Sequence, residues 1–229
     1  MKVVFRIFLS VLLGFFVLAV SGIFESITAF VQLRKSHPWL PITHTVILIL
    51  SFILIYLFSK GRISTYGLKM LKIKFLKQPL LIGTVVGIVA GGLILLLPTK
   101  GIGFLEKFSF LQVVVFIWIY ASISEELLTR GFIQSFLEPL IKYRVNLFKF
   151  YISVPMFVGA LFFGLMHLGL LAMNVDKFFV LLVVFFAIVL GLAAGYYRET
   201  TGSIIPSIVI HMLFNVWGTI IGLLGKLTR

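Results

Sequence analysis

Apolar runs long enough to cross a lipid bilayer recur along the whole chain, and basic residues separate them. A membrane-spanning helix needs about 20 consecutive apolar residues. The hydrophobic pattern predicts seven such helices, and it leaves open an eighth, re-entrant or interfacial piece. The predicted spans are residues 7–29, 42–58, 79–97, 111–136, 152–172, 178–197 and 203–224.

The composition agrees with a chain embedded in lipid. Hydrophobic residues make up 61% of the sequence, charged residues only 12%, and the mean hydropathy is +1.18. These values lie outside the range of soluble domains. We therefore predict an all-α fold, a polytopic membrane helix bundle that fills residues 1–229 as a single domain. The chain has no cysteine, which excludes disulfides, thiolate metal ligands and a cysteine nucleophile.

The net charge of +13 would suggest nucleic acid in a soluble protein. Here the basic residues lie between the apolar runs, where they set orientation and contact anionic lipid. Membrane lipid is thus an expected partner and nucleic acid is not. With the N-terminus in the cytoplasm, twelve Lys and Arg side chains fall on the cytoplasmic side and seven on the other. The positive-inside rule favours this orientation in the cell membrane.

The first span is predicted to stay uncleaved. Its apolar stretch runs on to Ala29, beyond the length of a usual signal-peptide core. Glycines at four-residue spacing in the third and sixth spans predict close helix packing rather than a function. They are Gly83, Gly87, Gly91, Gly191 and Gly195.

The acidic residues and histidines are the most informative polar positions. The chain has seven acidic residues and four histidines, and each one inside a span costs several kcal/mol. Four lie well inside predicted spans: Glu125, Glu126, His167 and His211. The remaining seven lie at span ends or in loops, where we expect water or lipid headgroups to solvate them: Glu25, His37, His44, Glu106, Glu138, Asp176 and Glu199.

The fourth span contains the sequence EELLTR, from Glu125 to Arg130. Positions four apart share a helix face, so Glu126 and Arg130 are predicted to form an ion pair. Glu125 points away from that pair, shares its face with Thr129 and is left to face a cavity. Taken alone, the stretch fits a buried packing network equally well.

Two later spans carry polar groups at the same spacing. FGLMH places Phe163 and His167 four apart, and HMLFN places His211 and Asn215 four apart. A carboxylate, two imidazoles and an amide on three helices provide a general base, a group to orient it and donors for an oxyanion. These groups suit the attack of water on an amide. No Ser, Thr or Lys lies in a recognisable activating arrangement.

The three motifs, in this order within apolar helices, resemble those of the CAAX-protease and bacteriocin-processing family of intramembrane endopeptidases. The motifs of that family read Glu-Glu-x-x-x-Arg, Phe-x-x-x-His and His-x-x-x-Asn or a similar residue. The resemblance covers roughly residues 110–220, which would form the catalytic core. The first three helices match nothing specific.

The resemblance implies proteolysis within the membrane. Glu125 would activate water together with His167, and His211 and Asn215 would stabilise the oxyanion. Three further residues would hold the site in shape: Glu126, Arg130 and Phe163. The implied substrate is a membrane-associated peptide or lipidated protein, such as a prenylated CAAX tail, a peptide pheromone or a bacteriocin.

The resemblance leaves a metalloprotease open, because family members have also been described in that way. A catalytic zinc site would use His167, His211 and Glu125, with one open position and with Glu126 as a candidate base. We favour catalysis without a cofactor, because acceptors that would orient metal-binding histidines are not evident in the sequence.

Two other kinds of function stay open. Intramembrane Glu, His and Arg side chains also mark transporters and proton relays, although the chain lacks obvious inverted halves or broken helix pairs. A catalytically inactive protein of bacteriocin self-immunity could also keep the motifs for packing.

Overall fold

The computed structural model describes residues 2–30, 41–96, 108–148 and 150–227. Within this part of the chain, seven helices are long and apolar enough to cross a membrane. The predicted all-helical membrane bundle is therefore confirmed. The helices are α1 (Val3–Phe30), α2 (Ile42–Ser59), α3 (Lys77–Leu96), α4 (Phe110–Gln134), α5 (Val154–Met166), α6 (Lys177–Thr201) and α7 (Ile205–Leu227).

Large apolar side chains cover much of the outer surface of the bundle. Phe16, Phe52 and Phe185 are examples, on α1, α2 and α6, and each is well exposed. Such a surface would be unfavourable in water, but lipid tails solvate it, and the helices satisfy their own backbone hydrogen bonds. The chain is thus a multi-pass membrane protein.

The glycines of α3 and α6 allow close helix contacts, as their spacing predicted. A Cβ atom at Gly83 would lie 2.8 Å from the carbonyl oxygen of Ile210, so α3 lies directly against the backbone of α7. A Cβ at Gly191 would lie 2.8 Å from Cα of Ala160, which brings α6 equally close to α5. Cβ atoms essentially never approach so closely, so larger residues at either position would push the helices apart.

Helix α4 is wound in an unusual way. Two π-helical stretches, Val113–Ala121 and Leu127–Gln134, flank a short α-helical segment, Ser122–Glu126. π-helical turns are rare, and they often occur at functional sites. The two adjacent glutamates lie at the junction between the α-helical segment and the second π-helical stretch.

A β-hairpin connects α4 to α5, and the sequence pattern did not predict it. Strands β1 (Arg144–Leu147) and β2 (Phe150–Ser153) pair in antiparallel register, with Val145 opposite Ile152. The short 3₁₀ turn Glu138–Leu140 precedes the hairpin, and a longer one, His167–Met173, continues α5. Two more 3₁₀ turns, Ile63–Tyr66 and Ile73–Leu76, lie between α2 and α3.

Glu199 differs from its expected role as a solvated residue at a span end. Its Oε1 accepts a hydrogen bond from the Ser153 hydroxyl at 2.5 Å and another from the Gln134 amide at 3.1 Å. Glu199 therefore ties the end of β2 and the end of α4 to α6. Asp176 also has a structural role, because its carboxylate accepts the backbone N–H of Phe179 and caps α6.

Candidate active site

The two adjacent glutamates of α4 are both buried inside the bundle. Successive residues of a helix point about 100° apart, so their carboxylates reach different neighbours. Glu126 faces Arg130 and the Nδ1 side of His211, whereas Glu125 faces His44 on α2. The two carboxylates thus have separate sets of contacts.

The ion pair predicted between Glu126 and Arg130 is present. Nη1 of Arg130 donates to Oε1 of Glu126 at 3.1 Å, and both side chains are completely buried. The same oxygen lies 3.1 Å from Nδ1 of His211. Because a carboxylate can only accept, Nδ1 of His211 carries the hydrogen. Glu126 therefore anchors an arginine on its own helix and an imidazole on α7.

Glu125 lies between two imidazoles. Its Oε1 is 3.1 Å from Nε2 of His44, and its Oε2 is 4.0 Å from Nε2 of His211. The first distance is a hydrogen bond, while the second is too long for one and matches a gap that a water molecule can bridge. Oε2 makes no hydrogen bond within the described part of the protein. His44 therefore fixes one oxygen of this carboxylate, while the other oxygen is available to contact a water molecule.

Phe163 forms the packing centre of the site. Its ring lies 5.1 Å from the ring of His167 and 5.2 Å from the ring of His211, edge to face in both cases. The guanidinium of Arg130 lies over the same ring, at 4.7 Å from its centre. A single aromatic side chain thus fixes two imidazoles and the buried arginine, and cation–π contact adds to the stabilisation of that charge.

His167 lies at the end of α5, where the helix passes into the 3₁₀ turn. Its Nδ1 is 2.8 Å from the carbonyl oxygen of Phe163. A carbonyl oxygen accepts, so Nδ1 carries the hydrogen and Nε2 of the neutral ring is an acceptor. The ring contacts Phe163, which also contacts the ring of His211 beside Glu125. His167 can therefore accept a hydrogen bond from a water molecule beside that carboxylate.

Asn215 lies one turn beyond His211 on α7, and its amide is engaged with α4. Nδ2 donates to the carbonyl oxygen of Ile117 and to the hydroxyl of Ser122, at 3.2 Å in both cases. Both amide hydrogens are thus used within the protein, and they fasten α7 to the first π-helical stretch of α4 and to the start of its α-helical segment. An oxyanion could receive a hydrogen bond from Asn215 only if one of these two bonds were given up.

His44 is the site residue that sequence reasoning missed. We expected it in a solvated turn beside Pro41, but it is the third residue of α2 and contacts Glu125. The contact joins residues 81 positions apart, and no local spacing signals such a pair. His37 and Glu106, which were also expected to be solvated, lie outside the described residues.

The positions of His167, His211 and Glu125 can be compared with the requirements of a catalytic zinc site. Acceptors that would orient His211 and His167 are present, namely Glu126 and the Phe163 carbonyl, so our sequence argument against a metal was wrong on that point. However, no group of three or more His, Asp or Glu side chains among the described residues has the geometry of a metal site. As arranged, the candidate ligands do not form a zinc site, and we assign no catalytic step to a metal.

A comparison with known protein families gives a match. Residues 107–217 match the family model described as type II CAAX prenyl endopeptidase Rce1-like. The match covers α4 to α6 and the part of α7 that carries His211 and Asn215. No curated protein and no solved structure matches the chain significantly.

The fold and the site define a polytopic membrane protein with a buried Glu, His and Arg cluster at its centre. Residues 107–217 match the CAAX-protease family of intramembrane endopeptidases. The match supports protease activity of the CAAX type. The matched region excludes α1 to α3, and so it excludes His44.

Proposed function

We propose that the protein cleaves a peptide bond within the membrane, using a water molecule activated by Glu125. One observation carries the proposal: Oε1 of the buried carboxylate is hydrogen-bonded by His44, while Oε2 has no hydrogen-bond partner in the described part of the protein and lies 4.0 Å from Nε2 of His211. A general base needs a free oxygen within reach of a water molecule. Oε2 of Glu126 also has no hydrogen-bond partner among the described residues. However, the side chain of Glu126 is completely buried and paired with Arg130, whereas that of Glu125 is 12% exposed.

In the proposed reaction, Oε2 of Glu125 takes a proton from water as the water oxygen bonds to the carbonyl carbon of the substrate. Nε2 of His167 accepts a hydrogen bond from the other O–H group of the water molecule and so orients it. The carbon–nitrogen bond then breaks, and the proton held by Glu125 passes to the departing amine. The products are a carboxylic acid and an amine, and transfer of the remaining water proton from the acid to the amine gives a carboxylate and an ammonium group, so atoms and charges balance.

The oxyanion of the intermediate needs hydrogen-bond donors. We assign one of them to His211, whose Nδ1–H is committed to Glu126. Donation from Nε2 therefore requires an imidazolium, with hydrogens on both nitrogens. The adjacent carboxylates of Glu126 and Glu125 would stabilise that cation. The second donor would be Asn215, after release of its hydrogen bond to Ile117 or Ser122.

We further propose that the substrate carries a lipid chain, as CAAX-type tails do. An apolar groove of about 330 Å³ lies between α2 and α4, lined by Leu48, Ile49, Phe52, Ile53 and Leu127. Leu48 is one turn along α2 from His44, and Leu127 is two residues from Glu125. A hydrocarbon chain bound there would place the attached peptide next to the carboxylate.

The activity is tested with purified protein in detergent and a quenched fluorescent peptide, supplied with and without a prenyl group on its cysteine. We expect cleavage of the prenylated peptide at a lower KM than that of the matched unmodified peptide. Equal KM values for the two peptides would contradict the lipid-chain proposal alone. Absence of cleavage, combined with solute flux across vesicles that contain the protein, would support a transporter instead.

Metal independence is a separate prediction. We expect exhaustive chelation to leave the cleavage rate unchanged, with no stoichiometric zinc found by elemental analysis. A rate that is lost on chelation and restored by added zinc would contradict this and would make His167, His211 and Glu125 the candidate ligands. Because metal ligands must be deprotonated, the zinc-restored rate should then fall at low pH.

Orientation can be tested with single cysteines, because the chain contains none. With the N-terminus in the cytoplasm, Ser64 lies on the cytoplasmic side of the cell membrane and Met173 on the opposite side. Both side chains are exposed. In intact cells, an impermeant thiol reagent should label Met173→Cys and leave Ser64→Cys unlabelled. The reverse pattern would show that the topology is inverted.

A further inference from the structure

Helix α2, outside the region that carries the motifs, contributes the side chain of His44 to the site. Nε2 of His44, on α2, lies 3.1 Å from Oε1 of Glu125. The carboxylate can only accept, so the imidazole donates. The His44 side chain is 28% exposed, whereas that of Glu125 is 12% exposed. The imidazole thus covers the buried carboxylate from the more accessible side of the site.

We propose that His44 is a positioning residue for Glu125, and this rests on the proposed function. The terminal torsion of a glutamate is broad, with no strong intrinsic preference for one carboxylate orientation. A hydrogen bond to Oε1 removes that freedom and keeps Oε2 turned toward Nε2 of His211. Without His44, the carboxylate would rotate, and Oε2 would be correctly placed for only part of the time.

The start of α2 is held in place so that His44 can make this contact. The hydroxyl of Thr45, the next residue, lies 3.0 Å from the hydroxyl of Tyr120 on α4 and also donates to the carbonyl of Pro41. Further along, Ile55 packs beside Gly131, and Phe58 contacts Phe132. Helix α2 therefore lies along α4 on both sides of Glu125, and the imidazole reaches the carboxylate from a fixed backbone.

This placement makes the site depend on a helix outside the family-matched residues 107–217. Glu125, Glu126, His167, His211 and Asn215 all lie inside that range. A site built from these residues alone would leave Oε1 of Glu125 without its hydrogen bond. We infer that α2 is part of the catalytic unit and not only a lipid-facing helix.

Substitutions at His44 test the proposal in the full chain. His44→Phe removes the donor and should lower kcat by about 10–100-fold, the usual loss when a hydrogen-bonded orienting partner is removed, with KM unchanged. His44→Gln places an amide N–H near the position of Nε2 and should recover most of kcat. The control is Thr43→Val, which removes the adjacent hydrogen bond to Glu25 and should keep the wild-type kcat.

The kinetic outcomes separate this proposal from the proposed function. If Glu125→Gln is inactive while His44→Phe keeps full kcat, the positioning role is wrong and the proposed function stands. If Glu125→Gln cleaves as well as the wild type, the proposed function is wrong. If Thr43→Val loses as much kcat as His44→Phe, a general disturbance of α2 explains both, which overturns the proposal.

A measurement without substrate tests the contact itself. The chain has four histidines, so ¹⁵N-histidine labelling in detergent gives few ring signals, and each can be assigned by a single substitution. We expect Glu125→Gln to shift the ring nitrogen signals of His44. Signals of His44 that are identical in the wild type and in Glu125→Gln would show that the hydrogen bond is absent and would overturn the proposal.

Discussion

Glu125→Gln should abolish peptide cleavage while leaving a folded protein. The amide keeps the size of the side chain, but it cannot take a proton from water. General bases typically contribute about 10²–10⁴-fold to a rate, so we expect kcat to fall by that factor. The measurement is the cleavage rate per amount of folded protein, quantified after size-exclusion chromatography in detergent.

The matched control is Ser51→Ala. Ser51 is buried on α2 and its hydroxyl has no hydrogen-bond partner among the described residues, so its loss should change neither the rate nor the melting temperature. A Glu125→Gln protein that melts like the wild type and still cleaves at more than a tenth of its rate would exclude Glu125 as the base.

Glu126→Gln should have a different effect, mainly on stability. Glu126 is the ion-pair partner of Arg130, and both side chains are completely buried. Breaking a buried ion pair by removing one partner costs about 3–5 kcal/mol, because the other charge stays buried without compensation. We expect lower expression and a lower melting temperature, with residual activity in the protein that folds.

Arg130→Gln should resemble Glu126→Gln in its loss of stability. The double substitution should cost less than the sum of the two single effects, because it leaves no unpaired charge. Nη2 of Arg130 also fits closely beside Gly191, and its guanidinium lies over Phe163. Some loss of packing should therefore remain in the double variant. If the melting-temperature shift of the double variant equals the sum of the two single shifts, the ion-pair role is contradicted.

The membrane spans could be predicted from the sequence because each is a separate apolar run of sufficient length. The predicted spans 42–58 and 79–97, for example, correspond to Ile42–Ser59 and to Ile73–Leu96, the latter including a short 3₁₀ turn before α3. Bilayer thickness determines the length of such a run, so its signal is local. The hairpin Arg144–Ser153 was not predicted, because its strands are only four residues each and lie in a connection of mixed polarity.

The pairing of Glu126 with Arg130 was also predictable, since residues four apart on a helix are neighbours. Contacts between helices were not. His44 meets Glu125, and Asn215 meets Ile117 and Ser122, across 81 or more residues. The spacing of residues along one helix does not indicate how far that helix is shifted along its neighbours. It therefore indicated which motifs carry the polar groups, but not which atoms they reach.

The π-helical winding of α4 could not be predicted from the sequence either. Residues Leu127–Gln134 are fully buried and include Arg130, Thr129 and Gln134 among apolar side chains. A winding with i→i+5 hydrogen bonds changes which residues share a face, and no residue type marks where it begins. Tertiary contacts to α4, such as the hydrogen bond from Asn215 to Ile117, accompany it.

The most direct test of the account is a side-by-side measurement of melting temperature and specific activity for Glu125→Gln and Glu126→Gln in one detergent preparation. The account predicts that Glu125→Gln melts like the wild type and is inactive, whereas Glu126→Gln melts at a lower temperature and retains activity in its folded fraction. A stable but inactive Glu126→Gln, together with an active Glu125→Gln, would show that the two glutamates have the opposite roles.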